Sequence, residues 1–190
     1  MKKKIIVALL ILIIAAGSAS AFSFMDAAEG IKDSSIFVNI GVGFGTGVYA
    51  TDIMIPPLQA SVEYLLPIGI PLSVGGFFEM GIWKDDTKFY SYTRTRTETR
   101  MAFGAKAAWH VDLGLKNLDL YLGLKLGWML WNLETKYSDE ASARPLNNYD
   151  AFFYGFCLGA RYFFTNNIGI YLEAGYSLVS FVNLGLAVKF

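Results

Sequence analysis

The sequence predicts an all-β chain folded as an eight-stranded antiparallel up-and-down transmembrane β-barrel, and three observations carry that prediction. From Ile36 to Phe190, in eight successive stretches, large apolar residues hold every second position while Gly, small, polar or aromatic residues hold the alternate ones. A period of two means strands with one greasy face. The N-terminus has the parts of an export leader. Composition agrees: 54% of residues are hydrophobic and only 17% charged, against a charged share near 25% in ordinary soluble domains. Inside a bilayer only a closed barrel satisfies every strand edge.

The leader comprises Lys2, Lys3 and Lys4, an apolar run from Ile5 to Ala16, and Gly17-Ser18-Ala19-Ser20-Ala21 with small residues at Ala19 and Ala21. About a dozen apolar residues fall short of the roughly 20 that a spanning helix needs. The expected organisation is a signal peptide over 1–21, a short periplasmic segment over 22–34 and the barrel over 35–190. That places the chain in the outer membrane of a diderm bacterium. Equal numbers of basic and acidic residues, 16 of each, give no reason to expect nucleic acid. Cys157 is the only cysteine, so no internal disulfide is possible.

The first strand sets Ile36, Val38, Ile40, Val42, Phe44 and Val48 on one face, with Phe37, Asn39 and the glycines 41, 43, 45 and 47 leading to Tyr49 on the other. Those glycines suggest a phosphate-binding loop only superficially, because their period marks a strand face and the nucleotide fingerprint needs Gly where Thr46 stands. The second strand sets Leu58, Ala60, Val62, Tyr64 and Leu66 against Gln59, Ser61 and Glu63. After the turn Pro67-Ile68-Gly69-Ile70-Pro71, the third sets Leu72, Val74, Phe78, Met80 and Ile82 against Ser73, Gly75, Phe77, Glu79 and Gly81.

In the fourth strand Thr93, Thr95, Thr97 and Thr99 lead in phase into Met101, Phe103, Ala105, Ala107 and Trp109. A ladder leaving the hydrocarbon and continuing above it reads this way. The fifth strand carries Leu118 to Leu130 at even positions, and the sixth alternates from Phe152 to Tyr162 after a polar stretch from Glu134 to Asn148. The seventh covers Ile168 to Tyr176, the eighth Val182 to Phe190. Up-and-down winding puts Tyr64, Trp109, Tyr162 and Phe190 at one rim of the outward face and Trp128, Tyr154 and Tyr176 at the other, as two aromatic girdles. Connections at 84–96 and 133–149 share one end, the external one, opposite short turns near 69, 114 and 166. A soluble barrel would need a charged second face, yet that face is mostly Gly.

The lumen then carries Glu63, Glu79, Asp119 and Glu173 together with Arg100, Lys106, Lys125, Arg161 and Lys189. An eight-stranded barrel is just wide enough for side chains to fill, so these charges are expected to pair as a plug. His110, the sole histidine, is expected to hydrogen-bond Asp119 across a hairpin rather than serve a catalytic pair, since no nucleophile is evident. No catalytic motif, cofactor motif or metal-ligand cluster is visible, and no enzyme activity or cofactor is expected. A rim of Lys84, Lys88, Arg94 and Arg96 is diluted by Asp85, Asp86 and Glu98.

The closing segment, Tyr171-Leu-Glu-Ala-Gly-Tyr176 and then Val182, Leu184, Leu186, Val188 and Phe190 at alternate positions, resembles the OmpA/OmpX/OmpW-like small outer-membrane barrels. The resemblance implies that the last strand is recognised by the barrel-assembly machinery and that the outward face meets outer-membrane lipid. Members of that superfamily include structural anchors, adhesins and conduits for small hydrophobic molecules. Two readings follow: a closed structural or surface-interaction protein, favoured by the crowded lumen, or a conduit or pocket for a small apolar ligand. The second draws on Tyr49, Trp83, Trp131, Phe153 and Phe181 as inward aromatics near the outer mouth. The short connection from Ser177 to Ser180 departs from members with long external loops and argues against adhesion.

Overall fold

A computed structural model describes residues 31, 34–45, 48, 50, 52–90, 92–115, 117–138, 147–177 and 179–190. The leader, most of the 22–34 segment and Tyr49 lie outside the described residues. Eight strands follow in order: β1 (Ile36–Phe44), β2 (Asp52–Leu65), β3 (Leu72–Lys88), β4 (Thr93–Val111), β5 (Leu118–Tyr137), β6 (Asn147–Phe163), β7 (Ile168–Tyr176) and β8 (Val182–Lys189). Each pairs antiparallel with its sequence neighbours, and β1 closes on β8 from Phe37↔Lys189 to Phe44↔Val182. The edges that would expose unpaired N–H and C=O groups to hydrocarbon are thereby removed.

Alternation is read out directly. On β5, Leu122, Leu124 and Leu126 are exposed while Tyr121 and Lys125 are buried. Leu186 on β8 is 58% exposed and Glu173 on the adjacent β7 only 1%, so the apolar residues are outside and the charges inside. At the end holding the turns near 69, 114 and 166, Tyr64, Tyr162 and Phe190 are exposed; toward the loop end, Trp128, Tyr154 and Tyr176 are. Inward glycines make space for rings: Tyr121 of β5 lies over Gly159 of β6, and the benzo edge of Trp83 folds back onto Gly81 of its own strand. A Cβ at either position would collide with those rings.

The strands are unequal. β1, β7 and β8 have 9, 9 and 8 residues, about what a tilted strand needs to cross the hydrocarbon. β3 to β6 have 17 to 20. β6 meets β7 only from Phe156↔Tyr176, whereas β4 and β5 stay paired out to Arg94↔Tyr137. A sheet built from β3 to β6 therefore stands beyond the rest of the barrel at the loop end.

Several boundaries differ from the sequence reading. β1 stops at Phe44 because Gly45 turns with φ +67°, and Val48 packs against an interior cluster instead of continuing the outward face. β2 starts earlier, at Asp52, with register shifts at Ile53/Ile55 and Ile55/Leu58 that accommodate Pro56 and Pro57. The connection expected over 84–96 shrinks to 89–92, since Asp85↔Arg96 and Thr87↔Arg94 keep the ladder going. β5 likewise runs to Tyr137 and β6 begins at Asn147, shortening the expected 134–148 loop.

Leu124 lies midway along the outward row of β5. Leu124→Lys is expected to destabilise the barrel by about 2–4 kcal/mol in lipid vesicles, read by equilibrium denaturant titration. Thr95→Lys, on the extension beyond the hydrocarbon, is expected to change stability by about 1 kcal/mol or less.

Candidate functional site: a charge-filled lumen

Strand parity aims Glu63, Glu79, Lys106, His110, Asp119, Lys125, Arg161 and Glu173 into one volume, each no more than 2% exposed. Arg161 reaches from β6 to both Asp119, 2.8 Å away, and Glu63 on the far wall, and its Nε donates to Asn39 at 3.1 Å. Lys106 on β4 spans Glu63 at 3.1 Å and Glu173 at 2.7 Å. Lys125 on β5 spans Glu79, at 2.7 Å, and Glu173. Opposite walls are thus tied through shared carboxylates.

Neutral groups complete the network. Gln59 and the Tyr121 hydroxyl donate to Glu173 at 2.9 and 3.0 Å, Tyr171 donates to Gln59, and Ser177 donates to Glu79. The cations also sit on aromatic faces, with the Arg161 guanidinium 4.2 Å from the Tyr121 ring centre and 4.6 Å from that of Phe37. Ionised groups taken out of water lose several kcal/mol of hydration apiece. Only such saturated geometry offsets that loss.

Apolar clusters close both ends of the network. At the turn end Phe37, Leu65, Phe163, Tyr171 and Ala187 pack with Ile31. At the loop end Phe77, Trp83, Ala102, Met129, Phe153 and Val179 pack with Val48, Ala50 and Trp131. On the extension, outside the spanning segments, hydrogen bonds from Lys84 and Thr95 hold the Asp86 carboxyl below its ordinary range, and the same 2.8 Å Lys84–Asp86 contact raises the Lys84 ammonium.

With this geometry in view, the profile of the outer membrane protein β-barrel domain family matches residues 7–190. The chain belongs to that family. No curated protein sequence matches it. Two crystal structures of Ail, the attachment invasion locus protein of Yersinia pestis, are similar in fold, one of them in complex with the heparin analogue sucrose octasulfate. TM-scores are 0.55 for the complex and 0.50 for the other, at 13% and 12% identity, covering 84% of this chain and 100% of Ail in both cases. The protein is therefore an outer-membrane barrel, eight-stranded as the sequence reading expected.

Of the charged residues singled out in the sequence, Glu63, Glu79, Lys106, Asp119, Lys125, Arg161 and Glu173 meet in the central network. Arg100 and Lys189 do not. Arg100 bonds Glu98 at 2.6 Å and stacks on Trp131 near the loop end, while Lys189 lies over the Phe163 ring at the turn end. Both share the inward parity, but Arg100 is held toward the loop end by Glu98 and Trp131, and Lys189 is the last residue of β8. Phe181, expected inward, is 41% exposed, because Phe44 and Gly45 carbonyls capture its N–H just before β8. The terminal Leu184, Leu186 and Phe190 are exposed outward, in phase with Val182 and Val188. Asn39, Gln59, Ser61, Ser73, Tyr121, Tyr171 and Ser177 were missed as partners, although most share the alternate face with the charges.

His110 has its Nδ1 2.7 Å from Asp119 and its Nε2 2.9 Å from the Ser73 hydroxyl. That is the order of a serine–histidine–carboxylate triad. All three residues are 0% exposed, however, and the Ser73 hydroxyl is also within 3.2 Å of Glu63. A nucleophile needs room for an acyl group and donors for its oxyanion, and here the lumen side chains occupy that room. Cys157, 4% exposed, fills space beside Ala108 and Tyr121.

Glu173→Leu leaves Lys106 and Lys125 short of a shared carboxylate in the interior. It is expected to destabilise the folded barrel by about 3–5 kcal/mol in a denaturant titration. Lys136→Gln, which breaks a pair with Glu134 whose side chains are 71% and 41% exposed, is expected to stay within about 0.5 kcal/mol of wild type.

Proposed function

We propose that this chain is a closed, non-catalytic outer-membrane barrel acting as a structural or surface-interaction protein, with its loop end outward and its leader removed after Ala21. The observation that carries the reading is the lumen network in which Arg161, Lys106 and Lys125 each bridge two carboxylates on different strands. An ion crossing the barrel would have to displace several buried ion pairs at once. Acyl chains meet the outward leucines and phenylalanines, the girdle aromatics sit at the headgroups, and the assembly machinery reads Val182, Leu184, Leu186, Val188 and Phe190 during biogenesis. The longer β3 to β6 strands then project into the medium, which suits contact with another surface.

The alternative, a conduit or pocket for a small hydrophobic molecule, has less support. Trp83 and Phe153 are buried, packed with Phe77, Met129 and Val179, and the cleft that Trp83 lines holds only about 10 Å³.

Purified protein in a planar bilayer is expected to show no sustained stepwise conductance. Steady openings of porin size from wild-type protein would overturn the closed-lumen reading. Triple replacement of Lys106, Lys125 and Arg161 by Ser, which empties much of the cross-section, is expected to raise conductance in whatever fraction folds.

A further inference from the structure

The buried charges of the lumen do not cancel without one further proton. Among side chains no more than 2% exposed, the carboxylates of Glu63, Glu79, Asp119 and Glu173 face three permanent cations, Lys106, Lys125 and Arg161. His110, 0% exposed, completes that buried set. A net negative charge sealed in so narrow a bore lacks the water that makes it tolerable elsewhere.

Hydrogen-bond directions around the imidazole place the proton. Asp119 accepts Arg161 on one oxygen at 2.8 Å and meets His110 Nδ1 with the other at 2.7 Å. A carboxylate engaged by a guanidinium accepts on both oxygens, so Nδ1 donates. On the other side of the ring, Nε2 stands 2.9 Å from the Ser73 hydroxyl. That hydroxyl has a single hydrogen, and its other neighbours are acceptors, Glu63 Oε2 at 3.2 Å and the Ala108 carbonyl at 3.4 Å. Among the described residues Ser73 is the donor to Oε2, while Asn39, Ser61, Lys106 and Arg161 donate to Oε1. Turning the Ser73 hydrogen toward Nε2 would leave a buried carboxylate oxygen bare. Nε2 therefore donates as well, and a ring that donates from both nitrogens is an imidazolium.

The surroundings suit a cation. Phe37 of β1 stacks on the His110 ring at 5.5 Å and Tyr121 of β5 tilts against it at 6.0 Å, distances at which an aromatic face attracts positive charge. Asp119 on β5 is in contact, and Glu63 on β2 is reached through Ser73 of β3. The like charge that shares Asp119, Arg161 on β6, is itself engaged by Glu63. Lys106, on β4 itself, spans Glu63 and Glu173, and Lys189 on β8 is turned onto the Phe163 ring.

We propose that His110 is the fourth cation of the plug and a pH-sensitive latch at its turn end. Doubly protonated, it ties Asp119 to the Ser73–Glu63 pair; without that proton the sealed network carries one negative charge in excess. The closed state is thereby tightened in acid and loosened as the medium turns alkaline. The inference rests on the filled, closed lumen of the reading above. Above about pH 6.5 a histidine in an unfolded chain is neutral, so folding then takes up a proton. Its equilibrium constant falls by about tenfold per pH unit for as long as the folded barrel stays protonated. Below that pH both states carry the proton and the dependence vanishes.

The test uses the full chain refolded in detergent micelles, with its single histidine isotope-labelled for nitrogen NMR. At about pH 7.5, where a free imidazole is mostly neutral, both ring nitrogens are expected at the shifts of protonated nitrogen. Denaturant titrations from about pH 6.5 to 8.5 are expected to show the folding constant falling by up to about tenfold per unit. His110→Gln, which keeps polar groups toward Asp119 and Ser73 without a titrating proton, is expected to flatten that fall. A ring nitrogen without a proton, or parallel pH profiles for wild type and His110→Gln, would each overturn the proposal. If the variant does not refold, the nitrogen shifts of the wild-type protein decide alone. Conductance plays no part in either readout. A closed barrel with a neutral imidazole defeats this inference alone, and a conducting barrel with an imidazolium defeats only the closed-lumen reading.

Discussion

Everything in this molecule follows from the impossibility of leaving a strand edge open in hydrocarbon. A peptide group facing lipid without a partner loses several kcal/mol, so the sheet must return to itself, and it does so where β1 meets β8 over eight paired residues. Closure explains why the shortest strands sit on either side of the seam. β1, β7 and β8 supply only enough ladder to cross the membrane, while β3 to β6, free of that limit at the loop end, continue into water with Thr and charged residues on both faces.

Closure at eight strands also dictates the interior. So narrow a barrel has no room for bulk water at its centre, so polar groups aimed inward must satisfy one another. Glu63, Glu173, Lys106, Lys125 and Arg161 do this by sharing partners across the bore, and Tyr121, lying over Gly159, provides an aromatic surface for Lys106 and Arg161. Buried ion pairs seldom add net stability over an apolar core. Here they hold walls together while the outward face is committed to lipid, so the usual inside-out arrangement of a soluble protein is reversed.

The outward face was legible because period two is an immediate consequence of strand geometry. β4, β7 and β8 begin and end close to where alternation and turn residues put them, and the Thr-to-Met switch in β4 falls inside one unbroken strand from Thr93 to Val111. Less legible were ends at which phase and geometry part company. Val48 remains in phase with β1, but Gly45 has already turned the chain. Pro56 and Pro57 disguise the start of β2, since prolines argue against a strand until a bulge absorbs them. Within the lumen, parity named the inward charges but not their partners, because contacts across the bore depend on barrel stagger and side-chain reach. Arg161 finding Glu63 at 98 positions' separation, and Ser73 completing a line with His110 and Asp119, are consequences of register that alternation cannot express.

The central claim is that one face of each strand meets acyl chains and the other meets the filled bore. Its most direct test uses single-tryptophan variants retaining either Trp128, which is 42% exposed on the outward face, or Trp83, which is 2% exposed inside, refolded into vesicles of lipid with brominated acyl chains. Contact quenching is expected to be strong for Trp128 and near zero for Trp83. Equal quenching of the two, or quenching of Trp83 alone, would contradict the account.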